Sequence, residues 1–371
     1  MVEVGRFVDG LKAAGVEFFA GVPDSLLKSF CAYVTDTCGD NHVIAANEGG
    51  AVGLAAGHFL ATGKPALVYM QNSGQGNAVN PLASLADPDV YSIPMVLLIG
   101  WRGEPGVKDE PQHVKQGKVT VSLFETLGVP TEILPDDEVA ALELTRKMVE
   151  RAKAESRPVA LVVRKGLFAE YKLQNKKPDI AALPREQAIE GVLRALPKDA
   201  VVVSTTGMIS REVYETRERL GQDHSRDFLT VGSMGHASMI ALGIAKAQPH
   251  RKVYCLDGDG ASIMHLGNMA IVGQSGCSNL THIVFNNAAH DSVGGQPTVG
   301  GTINLTSVAA ALGYDVQPLE NALRLCASAL NKNHPVFVEV KVAKGARKDL
   351  GRPKEPPQVN KSLFMKTLAD V

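Results

Sequence analysis

The segment Leu256-Asp257-Gly258-Asp259-Gly260-Ala261-Ser262 is followed, about one helix-length later, by Phe285-Asn286-Asn287. Val253 to Leu256 is apolar and strand-like and stops at Gly258-Asp259-Gly260. Thr281 to Phe285 is a second, β-branched run and stops at Asn286-Asn287. Both runs end in oxygen-bearing side chains, with a helical stretch between them. In a parallel sheet neighbouring strand ends share one edge, where ligands bind. A carboxylate and an amide oxygen meeting there make a hard site suited to Mg²⁺. The glycines allow a diphosphate close to the backbone, and the following helix presents N–H groups to it. A bare Gly-Asp-Gly is also an ordinary turn after a strand. It is not an EF-hand loop, because Ala261 and Asn268 stand where oxygen ligands and the closing Glu belong. Nor is it a Rossmann fingerprint, because Ile263 occupies the third glycine position.

The elements that must position these residues alternate regularly. Strand-like runs at Ala66–Met70, Ile93–Ile99 and Val159–Arg164 are interleaved with helical patterns at Gly50–Ala61 and Asp137–Ala154. In the second half, strands at Ala200–Ser204, Val253–Leu256, Thr281–Phe285 and Val336–Val342 alternate with helices at Glu186–Leu196, Ser238–Ala247, His265–Gln274 and Glu320–Leu330. Such alternation predicts an α/β chain of two doubly wound parallel-sheet domains. The polar, lysine-rich stretch 170–183 contains Pro178 and reads as a linker between domains 1–169 and 184–371. Lys344 to Asn360, rich in Pro, Lys and Arg, is expected to be irregular.

A length of 371 residues fits two domains, and 45% apolar residues suffice for sizeable cores. A net charge of −1 and 5% aromatic residues give no case for nucleic acid or a membrane surface. Cys31, Cys38, Cys255, Cys277 and Cys326 are odd in number and form no Cys-x-x-Cys pair. Neither a disulfide framework nor a zinc site is indicated, and a reduced, cytoplasmic setting is expected. The N-terminus has no apolar signal region, and no stretch approaches the ~18 uninterrupted apolar residues of a membrane span.

The Gly-Asp-Gly plus Asn-Asn spacing resembles the signature of the thiamine diphosphate-dependent decarboxylase family. The resemblance covers almost the whole chain. It implies a pyrimidine-binding domain followed by a diphosphate-binding domain, with no central domain. It further implies that Asp259, the Asn287 side chain and the Ala289 carbonyl hold Mg²⁺, with Gly258, Gly260 and Ala261 at the diphosphate. Asn47-Glu48-Gly49-Gly50 matches the family's activating glutamate, which acts on N1′ of the aminopyrimidine; alone, Glu48 also reads as an acid stabilised at a helix N-terminus. Gly63-Lys64-Pro65 matches the family and not a P-loop. Three more segments fall where the family contacts its cofactor: Gln71 to Asn77, with Gly74, Gln75 and Asn77; Thr206-Gly207-Met208; and Gly232-Ser233-Met234. Met234 stands where the family props the cofactor in its bent form, although a buried Met also serves as core filler.

Within that family, Gly21-Val22-Pro23-Asp24-Ser25, the run Trp101 to His113 and His290-Asp291-Ser292-Val293-Gly294-Gly295-Gln296-Pro297-Thr298 resemble the phosphonopyruvate decarboxylases, with the sulfopyruvate decarboxylases as close cousins. The implied substrate is a small phosphonate 2-oxoacid. A fixed polyanion calls for cations and hydroxyl or backbone donors. Arg102, Lys108 and His113, read as lying on one loop, and Asp24 and Ser25 are the candidates. Glu104, Asp109 and Glu110 can equally balance those cations within the loop. Ser25 reads either as a helix cap or as a donor to the anion. His290 and Asp291, together with Glu48 and His113, are the candidate proton-handling residues; a structural turn is the other reading of the 290–291 pair. Because Glu48 and Asp259 fall in different domains, the resemblance implies a homodimer or homotetramer with sites at the subunit interface. Rival readings are a carboligase or oxidative enzyme on the same cofactor, and a non-catalytic nucleotide-binding protein. The scattered cysteines give no iron–sulfur motif for oxidation.

Overall fold

The computed structural model describes residues 1–319 and 334–369, in two compact units, Met1–Lys176 and Lys177–Val371. The expected helix Glu320–Leu330, and Cys326 with it, lie outside the described residues.

The first unit is built on six parallel strands: β1 (Phe19–Gly21), β2 (His42–Ile44), β3 (Ala66–Gln71), β4 (Met95–Gly100), β5 (Thr131–Ile133) and β6 (Pro158–Val163). Their order is β2-β1-β3-β4-β6-β5. Every residue of β4 and β6 is buried, as expected of parallel strands covered on both faces. One face packs Phe7, Phe19, Phe30 and Leu161 into a core; the other packs Val52, Val68, Leu97 and Phe124. The helices that position the site are α1 (Val4–Ala13), α2 (Lys28–Thr37), α3 (Glu48–Thr62), α4 (Gln75–Pro81) and α5 (Pro111–Thr126), followed by α6 (Glu138–Glu155).

The second unit repeats the plan with β7 (Val201–Ser204), β8 (Asp227–Leu229), β9 (Val253–Gly258), β10 (Leu280–Asn286), β13 (Asp315–Val316) and β14 (Val336–Lys341), in the order β13-β14-β10-β9-β7-β8. Between β10 and β13 a short antiparallel ribbon pairs β11 (Ala289–His290) with β12 (Gln296–Pro297). Its helices are α7 (Arg185–Ala195), α8 (Met208–Leu220), α9 (Ala237–Ala247), α10 (Asp259–Met264), α11 (Gly267–Gly273) and α12 (Leu305–Ala311).

Four expectations need correction. The run His265–Gln274 is not one helix: α10 ends at Met264, and α11 begins at Gly267. Ser25 does not open a helix; α2 starts three residues later, at Lys28. His113 is not on a loop, because α5 begins at Pro111, whose missing N–H costs nothing at a helix start. The C-terminal stretch is irregular only as far as Pro356; Pro357–Ala369 is a helix that buries Phe364 against Phe228. Among the described residues, no helix is long and apolar enough to cross a membrane.

Candidate active site

In the first unit the candidates gather where the strand order switches. β1 has β2 on one side and β3 on the other, so the loops leaving β1 and β3 diverge and open a crevice. Glu48 is the first residue of α3, whose N-cap Asn47 accepts a hydrogen bond from the Gly50 N–H at 2.9 Å. The Glu48 side chain is 5% exposed and takes a 2.7 Å hydrogen bond from Asn77 Nδ2. Burial pushes its carboxyl above the ordinary range, and the Asn77 bond only partly offsets this. Gly74 lies against this carboxylate so closely that a Cβ there would collide with it. Gln75 is buried and donates to the Thr120 carbonyl at 2.9 Å, which leaves its Oε1 without a partner. The structure thus brings Glu48, Gly74 and Asn77 together and ties Gln75 to α5. His113 lies on the buried face of α5 that also carries Thr120.

A second group forms around Asp24, which is fully buried. It accepts from Gln71 Nε2 at 2.7 Å and from the backbone N–H groups of Leu26 and Leu27 at 3.0 and 3.2 Å. Burial raises its pKa despite these donors. Asp24, not Ser25, is the residue that organises the entry to α2. Ser25 Oγ instead receives Arg102 Nη1 at 2.9 Å. The same guanidinium grips Asp109 with two bonds, one of them Nε to Oδ2 at 2.7 Å. Burial works against the Asp109 charge, but this pairing and two backbone N–H groups hold its carboxyl well below the usual range. Arg102 is therefore neutralised from within its own loop. Glu104 likewise pairs with Arg164 at 2.9 Å. Lys108 is exposed.

In the second unit four chain segments meet at one sheet edge. Thr206 and Gly207 follow β7, and Met208 opens α8. The Thr205 N–H donates to the Leu256 carbonyl at 2.8 Å and binds this loop to β9. Gly232, Ser233 and Met234 form the turn before α9; the next residue, Gly235, packs on α10 at Ala261 and Met264. Met234 is half-buried. β9 ends at Gly258, and Asp259 and Gly260 begin α10. Asp259 is 2% exposed and accepts from the Thr298 hydroxyl and from the backbone N–H groups of Gly260 and Asn287. Asn287 Oδ1 accepts from the Ala289 N–H at 3.0 Å, and its Nδ2 donates to Asp291 Oδ2 at 2.6 Å. His290 lies against Gly260, and burial pulls its pKa down to about 4, so it is neutral at pH 7.

The donor set fits a small divalent cation. Burial pushes the Asp259 carboxyl up to about 6, and among the described residues no Lys, Arg or His pairs with it. A desolvated acid without a counter-charge, beside an amide oxygen that keeps a spare lone pair, is what an oxygen-seeking ion stabilises. Asp259 and Asn287 would hold Mg²⁺, with the Ala289 carbonyl in reach of the same turn.

Sequence reasoning missed several members of this site. Gly300 presses on Asp259 so that a Cβ there would meet the carboxylate. Asn286 Nδ2 clamps the Gly300 carbonyl and Glu339 Oε1, both at 2.7 Å. Thr298 lies in a segment already singled out, yet its hydroxyl bond to Asp259 spans 39 residues and has no local signature. Arg185, whose acidic partners lie 27 and 106 residues away, is a comparable case of partners found only by folding.

Comparison with known proteins agrees with this architecture. Residues 5–123 match the model described as "Thiamine pyrophosphate enzyme, N-terminal TPP binding domain", and residues 205–340 match its C-terminal counterpart. The fold and these matches define a thiamine pyrophosphate (thiamine diphosphate) enzyme. The chain is 36% identical to a phosphonopyruvate decarboxylase of Streptomyces viridochromogenes, over 96% of this chain and 92% of that protein. It is 35% identical to one of Streptomyces hygroscopicus with the same coverage. A sulfopyruvate decarboxylase of Methanosarcina acetivorans is 28% identical over 79% of this chain and 78% of that protein. The chain belongs to the phosphonopyruvate decarboxylase family, whose members are carboxy-lyases.

Proposed function

We propose that this chain decarboxylates 3-phosphonopyruvate to phosphonoacetaldehyde and CO₂, a step of phosphonate biosynthesis, with thiamine diphosphate held through Mg²⁺. The observation that carries the metal-bound reading is the buried Asp259 carboxylate, unpaired with any cation, beside the Asn287 amide. Bound thiamine diphosphate supplies the carbon nucleophile and the electron sink that removal of CO₂ from a 2-oxoacid requires. With the cofactor bound, Glu48 would hold a proton toward the aminopyrimidine nitrogen, and burial, which raises its pKa, favours the protonated form. Asn77 orients the carboxyl by occupying its other oxygen. The loops after β7 and before α9 supply backbone donors for the diphosphate, and Met234 supports the thiazolium ring.

Arg102 and Ser25, already joined, form the anion end of the substrate pocket, with Asp24 ordering the backbone behind them. Binding a phosphonate there requires Arg102 to share its charge between Asp109 and the incoming anion. The working molecule is a cytoplasmic homodimer or a tetramer of such dimers. In support, α3 is apolar nearly all round, yet Leu54 and Leu60 on it are 37% and 71% exposed. A helix of that kind normally lies buried, and a second copy covers it here.

The test is a coupled assay for CO₂ and aldehyde. Both should form from 3-phosphonopyruvate only when thiamine diphosphate and Mg²⁺ are present. The Methanosarcina relative favours sulfopyruvate as a second substrate reading. Side-by-side kinetics decide it, because faster turnover of sulfopyruvate or pyruvate overturns the phosphonate assignment.

A further inference from the structure

Asp291 sits four residues after Asn287, and its Oδ2 is fully committed. It accepts from Asn287 Nδ2 at 2.6 Å, Arg185 Nη1 at 3.0 Å and the Gly345 N–H at 2.9 Å. Arg185 is 5% exposed and also makes a two-point ion pair with the buried Glu212, at 2.8 and 3.0 Å. Its Nη2 reaches the Gly345 carbonyl at 3.3 Å. A cation and two acids are thus locked behind the turn that carries Asn287, on partners 27 and 106 residues apart in sequence.

An asparagine amide has two ends of nearly equal shape, and only the oxygen end can bind a cation. A carboxylate accepts hydrogen bonds and cannot donate them, so the group facing it must be the nitrogen end. Rotating the Asn287 amide by half a turn would set its oxygen against the Asp291 carboxylate and its nitrogen against the Ala289 N–H. Both contacts would be repulsive.

We infer that Asp291, held by Arg185, is a positioning residue that fixes the amide of Asn287 with its oxygen toward the metal. This rests on the reading of Asp259 and Asn287 as Mg²⁺ ligands. It gives Asp291 a task different from proton transfer, one that a carboxylate oxygen with three donors is suited to perform. Outer-shell partners of this sort commonly set metal affinity.

The experiment titrates Mn²⁺, in place of Mg²⁺, into the full-length protein with thiamine diphosphate, following free Mn²⁺ by electron paramagnetic resonance. In the Asp291→Ala variant nothing accepts from Asn287 Nδ2, so Asn287 is no longer forced into one orientation. Mn²⁺ affinity should fall about 10–100-fold, while the circular dichroism of the metal-free protein stays close to wild type. Asp291→Asn keeps an oxygen in place for Arg185, the Gly345 N–H and Asn287, because the first two donors fix which end of its amide faces them. It should bind Mn²⁺ as wild type does; a merely structural role for Asp291 shifts the melting temperature of Asp291→Ala and leaves the Mn²⁺ affinity of the folded protein unchanged. If Asp291→Ala loses its fold, Asp291→Leu fills the same space without an acceptor, and a loss of Mn²⁺ affinity of about 10–100-fold there upholds the inference. Wild-type Mn²⁺ affinity in a folded Asp291→Ala or Asp291→Leu variant overturns it. A wild-type protein that binds no Mn²⁺ with thiamine diphosphate present overturns the metal reading itself, and this inference with it.

Discussion

Glu48 and Asp259 occupy equivalent places in the two units. Each is the first residue of a helix that leaves a parallel strand, each is nearly inaccessible, and each has its pKa raised by burial. Their surroundings differ. Glu48 meets an amide N–H from Asn77 and the bare backbone of Gly74. Asp259 meets a hydroxyl, two backbone N–H groups and the turn that carries Asn287. One local design thus yields two chemistries. With a single neutral donor the acid is suited to hold a proton; among further oxygens at an adjacent strand tip it is suited to hold a metal. The lesson is that strand-to-helix junctions place acids, while the neighbouring strand decides what they do.

The contrast is most directly broken at the metal side. Asp259→Ala should abolish the calorimetric heat of thiamine diphosphate binding in Mg²⁺. The loss should exceed the ~100-fold that removal of an outer-shell partner costs. Retained binding would remove the distinction between the two acids. Glu48→Gln should do the opposite. It should lower kcat by about 10²–10⁴-fold, the usual worth of a proton-transferring group, and leave the heat of cofactor binding in place. A parallel loss of binding would show Glu48 to be an anchor.

Asp24 sharpens the comparison as a third buried acid, one with backbone partners on the same strand edge. Its folded pKa is raised above the unfolded value of about 3.9. Its contribution to stability is therefore full below about pH 4 and is lost as pH rises through the folded value. Asp24→Asn keeps an acceptor for the Leu26 and Leu27 N–H groups and removes that dependence. Its melting temperature relative to wild type should climb between pH 4 and 7 by on the order of 2–4 °C, the shift that ~1 kcal/mol produces in a unit of this size. A difference that stays flat with pH would show that Asp24 is solvated as well as any surface acid.

What the sequence disclosed follows the same line. Buried parallel strands such as β4, β9 and β10 are continuous apolar runs, and the glycines and acids that stop them are local signals. Asp259, Asn287 and Glu48 were legible for that reason. Strands of two or three residues, such as β1, β8 and β13, are too short to show a period. The helix Pro357–Ala369 is masked by the Pro-rich stretch before it and α5 by its place soon after β4, although proline also suits a first helical turn. Whether Arg102 meets a substrate or an acid of its own loop stays open in the sequence, and only the folded loop shows its commitment to Asp109. Arg185 offered no signal at all, because its partners Glu212 and Asp291 come near only when α7, α8 and the turn after β10 are packed.

The strand order of the second unit has a consequence for the protein's birth. β10, which ends in Asn286, needs β14 along one whole side, and β14 finishes only at Lys341. Ribosomes add about 5–20 residues each second. For several seconds every nascent chain therefore carries its coenzyme strand as a naked edge, open to strangers. Stalling in that interval is when a chaperone would matter most.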